Sequence, residues 1–128
     1  MAPSSRNNYE AIALVSAVRA ATNSIDLVNI GARGAIITLD ITAVPGTDTV
    51  AVSWFGKDPA SGKFYALGAA GAAFSATGTK TYLIYPAVAA NASFTAVIAA
   101  NIPRTWRLIV THSAGSNFTY SLGVQYLL

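Results

Sequence analysis

The sequence has no cysteine, one histidine, one methionine and few charges. Without cysteine there is no disulfide framework, no thiolate nucleophile and no thiolate metal site. With a single histidine, His112, a zinc site would have to rely on carboxylates, a poor ligand set for a structural centre. Only 10% of the 128 residues are charged, against about 25% in an ordinary soluble domain. Thirteen formally charged side chains, eight basic and five acidic, cannot cover the surface of one domain. Much of that surface must be Ala, Ser, Thr, Asn and Gly. Charge keeps free monomers soluble, so this scarcity implies that neighbouring subunits cover part of the outside.

The net charge of +3 comes from basic residues scattered from Arg6 to Arg107 without a run. Nucleic-acid proteins gather positive charge into a patch or stripe, so nucleic acid is not an expected partner. Arg104 and Arg107 flank Trp106, but strand neighbours point to opposite faces, which turns Trp106 inward and leaves Arg107 in water. The apolar run Ala11–Val18 follows Glu10 and runs into Arg19 without a small-x-small cleavage site. The stretch 87–102 is too short as a helix to cross a hydrocarbon core of about 30 Å, and it holds Asn91, Ser93, Thr95 and Asn101. Neither a cleaved signal nor a membrane span is expected.

The dominant hydrophobic period is two, the mark of half-buried strands. Ile37, Leu39 and Ile41 share one face, with Ile36, Thr38 and Asp40 on the other. Val50, Val52 and Trp54 repeat the pattern after a Val44–Asp48 turn. Gly56-Lys57-Asp58-Pro59-Ala60-Ser61-Gly62-Lys63 is the strongest turn signal and predicts a hairpin into Phe64-Tyr65. Residues 68–78 read as an irregular connection or an edge strand. Thr81–Tyr85 is a strand stopped by Pro86. The segments 11–18 and 87–100 are compatible with strand or short helix. Trp106, Leu108 and Val110 face inward, and after the Ser113–Asn117 turn Phe118, Tyr120, Leu122, Val124 and Tyr126 form one apolar face. The expected fold is all-β, a β-sandwich or jelly-roll of about seven or eight short antiparallel strands. Residues 10–128 form one domain behind a polar N-terminal arm, 1–9, expected to order against a neighbour.

No chemical motif emerges. His112 lies at a strand end with no nucleophile motif around it. Glu10, Asp26, Asp40, Asp48 and Asp58 are dispersed, and Asp48 and Asp58 sit in turns, where aspartate most often bonds its own backbone. Gly31-Ala32-Arg33-Gly34 is too common a pattern to mark a phosphate loop. The triplets at Asn91 and Asn117 match a glycosylation signal by chance. The expectation is no enzyme, no catalytic residue, no metal and no cofactor. Thirteen aromatic residues read as core; an exposed row of them would instead suit sugar stacking.

Several segments in order resemble a known family: Ser16-Ala17-Val18-Arg19-Ala20-Ala21-Thr22-Asn23-Ser24; Gly31-Ala32-Arg33-Gly34 leading to Leu39-Asp40-Ile41-Thr42-Ala43-Val44; the 56–65 hairpin; Ser75-Ala76-Thr77-Gly78-Thr79; Tyr85-Pro86; Pro103-Arg104-Thr105-Trp106-Arg107 with Val110-Thr111-His112; and Tyr120-Ser121-Leu122-Gly123. Together they resemble small β-sandwich virion structural proteins of tailed bacteriophages and prophages. The Ala-rich stretches 66–73 and 87–100 depart from that pattern. The resemblance implies a virion component with no catalytic residues and leaves its seat in the particle open. The leading expectation is a capsid decoration (cement) protein on the outer shell, a homo-oligomer bound to the major capsid protein or other virion proteins. The alternatives are a tail or head–tail junction protein, or a carbohydrate-binding module on a fibre or baseplate.

Overall fold

The structure is a computed structural model, and it describes residues 9–128. The proposed ordering of the arm falls on residues 1–8, outside that range. Tyr9 is described, and its ring stacks on Tyr126 with centroids 4.3 Å apart.

Nine strands follow in order: β1 (Glu10–Arg19), β2 (Asn23–Val28), β3 (Gly34–Ala43), β4 (Val50–Lys57), β5 (Phe64–Ala66), β6 (Gly78–Ile84), β7 (Ala96–Ile98), β8 (Thr105–His112) and β9 (Phe118–Leu127). They form two sheets, β1-β9-β3-β6-β7 and β2-β8-β4-β5. The sheets pack face to face as a β-sandwich, so the expected fold class holds. Two details differ from the expectation. The described residues form nine strands rather than seven or eight, because β2 was not foreseen and β7 is a three-residue strand. One pair, β6 with β7, is parallel; the other named pairs are antiparallel.

Period-two patterning builds the core. Ile37, Leu39 and Ile41 of β3, and Leu122, Val124 and Tyr126 of β9, meet Val52 and Trp54 of β4 and Trp106, Leu108 and Val110 of β8, all buried. Burying each large aliphatic side chain stabilises by roughly 1.5–3 kcal/mol. Aromatic geometry sets the register between the sheets: Trp54 tilts against Tyr82 at 5.2 Å, and Trp106 meets Tyr126 edge-on at 5.9 Å. The Trp106 indole N–H donates to the Tyr126 hydroxyl at 3.2 Å.

The β4–β5 hairpin forms where the turn chemistry placed it. Asp58 closes its loop by accepting from the Ala60 and Ser61 amides and the Ser61 hydroxyl, and Gly62 takes the positive φ of 75° that the loop requires. Residues 68–77 are irregular, tied to β4 by a bridge from Phe74 to Val50 and by the Gly71 amide, which donates to the Val52 carbonyl at 2.9 Å. Residues 87–95 hold turns rather than strand or helix, since Ala side chains spaced by two bury too little to fix a strand, and the strand alternative is met only at Ala96–Ile98.

Candidate assembly interface

β1 is an edge strand, bonded to β9 on one side only. Its pairing contains two register shifts, one between Ile12 and Leu14 and one between Leu14 and Ala17. Each inserts an extra residue and changes the side-chain period. As a result Ala11, Leu14 and Ala17 stand opposite the inward residues Val124, Leu122 and Tyr120, while Ile12 and Val18 stand opposite the outward Gly123 and Thr119. The strand is therefore apolar on both faces. Ile12, Val15 and Val18 make an outward ridge, with 76%, 64% and 63% of their surface exposed.

Beside the ridge lies a trough of small residues. Ser121 and Gly123 of β9 form its floor with Ile12, Leu14 and Val15 along one wall, and the hollow measures about 340 Å³. A Cβ at Gly123 would meet nothing within 4 Å. Further across the sheet the outward residues are Ile36 and Thr38 of β3, then Leu83 and Thr81 of β6.

The bulges also blunt the strand edge. The Arg19 guanidinium turns back and donates to the carbonyls of Val15, Ala17 and Tyr120. Those β1 carbonyls are thereby occupied, and an irregular edge of this kind resists addition of another strand. What β1 offers a neighbour is side chains. Its surface suits face-on packing.

Exposed apolar residues also occur at the edge of the second sheet. Val28, at the end of β2, and Ile30 are exposed; with the ridge they account for five of the seven large hydrophobic residues exposed among the described residues. Ile30 is held outward by a buried polar anchor. Asn29 donates to the carbonyls of Ala32 and Ile102 and accepts from the Ala32 amide and the Tyr9 hydroxyl. Because every polar atom of that side chain is satisfied, the turn is fixed and its tip stays in water.

No family model matches the chain, and a search of curated proteins finds no match.

The residues weighed for chemistry are placed as follows. His112 is buried, with Nε2 2.9 Å from the Tyr120 hydroxyl and the Phe118 ring edge-on at 5.6 Å. Burial, and then the charge of Arg19, push its pKa below the usual imidazole value. Its surroundings are a core corner where Arg19 lies over the Tyr120 ring and Asn23 donates to the Tyr120 hydroxyl. Asp26 is gripped through two oxygens by Arg107, at 2.6 and 3.2 Å, and that hydrogen bonding holds its carboxyl below the usual range. Asp40 accepts from Thr79, Glu10 accepts from Gln125, and Asp58 serves its own turn. Trp106 points inward and Arg107 outward, over the Phe64 ring at 3.8 Å. Among the described residues, no three of His, Cys, Asp or Glu gather as a metal-holding group. Trp54 and Trp106 are buried, so neither presents a ring face to a sugar.

The ridge is what sequence reasoning missed. The apolar run 11–18 reads as strand or short helix, with no face assigned to it. The hint was the density of apolar residues at an end of the chain with no alternation at all.

Proposed function

We propose that the protein is a structural subunit of a tailed-phage particle, of the capsid decoration type, which works by packing its outer β1–β9 face against neighbouring proteins. The observation that carries this reading is the Ile12–Val15–Val18 ridge beside the Ser121–Gly123 trough on a bulged edge strand. An isolated exposed Ile or Val is ordinary, but a contiguous apolar row marks a contact surface. The ordered segments that resemble small virion proteins supply the setting.

Face-on packing suits a component present in many copies. Each contact contributes modestly, and repetition on a lattice multiplies the effective affinity. The bulged, Arg19-capped edge limits strand-to-strand polymerisation, which a protein at high local concentration must avoid.

Copy number tests the proposal. Purified particles resolved on a stained gel, with densitometry against the major capsid protein, should place this chain at hundreds of copies. A handful of copies would assign it instead to the tail or the head–tail junction, and absence from particles would refute a virion role.

A further inference from the structure

The two outer faces of the sandwich differ in charge. The outward residues of β1, β9, β3 and β6 include the acids Glu10 and Asp40 and no Lys or Arg, since Arg19 and Lys80 sit opposite the inward residues Phe118 and Leu39. At the same end of the molecule, the other sheet carries a hollow of about 350 Å³ lined by Lys57, Pro59, Tyr65, Pro103, Arg104 and Thr105. Two prolines and an exposed tyrosine ring give it stiff apolar walls, and Lys57 and Arg104 supply positive charge.

The carboxyl of Asp26, held down first by its hydrogen bond to Arg107, also feels the charge of Lys57, but Asp26 and Lys57 form no ion pair. Asp26 is committed to Arg107 and Asp58 to its own loop. Among the described residues, no carboxylate forms an ion pair with Lys57 or Arg104. The hollow therefore matches a ligand that combines a carboxylate with a branched aliphatic group. Glu10 and Ile12 are such a pair. Both point outward from β1, two residues and so roughly 6.5 Å apart.

We propose that the hollow receives the Glu10–Ile12 corner of a second copy of this chain, so that subunits join head to tail. The carboxylate meets Lys57 and Arg104, and the isoleucine lies against Tyr65 and the prolines. Two acidic faces packed on each other would gain nothing of this kind, whereas unlike faces are complementary. Because the two surfaces lie on opposite sheets, the contact is heterologous and repeats from subunit to subunit, as a ring where the rotation closes and as a filament where it does not. This inference rests on the reading of the β1 face as an assembly surface, and it adds the surface that face meets.

Charge reversal tests it, with the full chain in sedimentation velocity and a thermal melt to confirm that each variant folds. E10K alone and K57E/R104E alone should each raise the self-dissociation constant by about tenfold or more. Mixed in equal amounts, or combined in one chain, the reversed charges face each other again and association should return. If K57E/R104E associates as the wild type does, the hollow is not the partner surface and the inference fails. If both variants lose association but neither the mixture nor the combined variant restores it, the pairing of these two surfaces is also refuted. An E10K defect together with normal K57E/R104E association would leave the β1 face in use and overturn the head-to-tail contact alone.

Discussion

Replacing Tyr82 by Phe should stabilise the fold, against the usual direction for a core substitution. Tyr82 is fully buried, its ring lies against Trp54, and its hydroxyl has no hydrogen-bond partner. Burial alone pushes its pKa up to about 12. A buried hydroxyl that has left water without a partner costs about 1–3 kcal/mol. Phe keeps the ring and removes that penalty, offset by the few dispersion contacts of one oxygen atom. A net gain of about 1 kcal/mol is expected. With an unfolding entropy of roughly 2.1 cal/mol/K per residue, this 128-residue chain should melt about 4 °C higher. Urea unfolding should show a higher midpoint with an unchanged slope. The pH dependence supplies an independent check. A tyrosine whose folded pKa is raised contributes stability present below the unfolded value of about 10 and lost as pH rises towards 12. Tyr82→Phe should flatten part of that decline, the rest belonging to Tyr120 and Tyr126, which burial also raises. A melting point several degrees lower in Tyr82→Phe would mean that the hydroxyl is satisfied and the reasoning wrong.

Two further perturbations probe the frame around the interface. His112 has a depressed folded pKa, so stability is present above the unfolded value near 6.5 and falls as pH drops below it; the wild-type urea midpoint should decrease from pH 7.5 to pH 5, and His112→Gln should flatten that dependence. Gly34→Ala should destabilise by about 1–3 kcal/mol or more, because the added Cβ collides with the Ile84 carbonyl and the Tyr85 ring where β3 meets β6; a melting point equal to wild type would show that the strands can part there at no cost.

How far the sequence reveals this molecule depends on where alternation is clean. β3, β4, β8 and β9 carry large apolar residues at every second position, and their inward faces could be named residue by residue. β2 was missed because Asn23, Ser24 and Asp26 leave only Ile25 and Leu27 on its inner side, too little pattern to stand out from a loop. In 87–95 the reverse occurred: alternation was present, but mostly in alanine, which buries too little area to hold a strand, and only at Ala96–Ile98, where Val97 and Ile98 add bulk, does the chain pair as β7. The β1 ridge was hidden by its bulges, since two inserted residues convert a period of two into a spacing of three and put apolar side chains on both faces. The Lys57–Arg104 hollow joins residues 47 positions apart, and only pairing of β4 with β8 brings them together. A linear reading found both basic residues and no patch.

The central claim is that the outward β1 face is a contact surface. Burying three side chains already two thirds exposed would contribute roughly 1–2 kcal/mol each, or about 3–6 kcal/mol together, a factor of at least one hundred in association. Sedimentation velocity of the wild type beside the triple variant Ile12→Ser, Val15→Ser, Val18→Ser measures this directly. The account predicts that the wild type associates with rising concentration, while the variant melts at nearly the same temperature and stays monomeric. A wild type that remains monomeric throughout, or a variant that associates as strongly as the wild type, would contradict it.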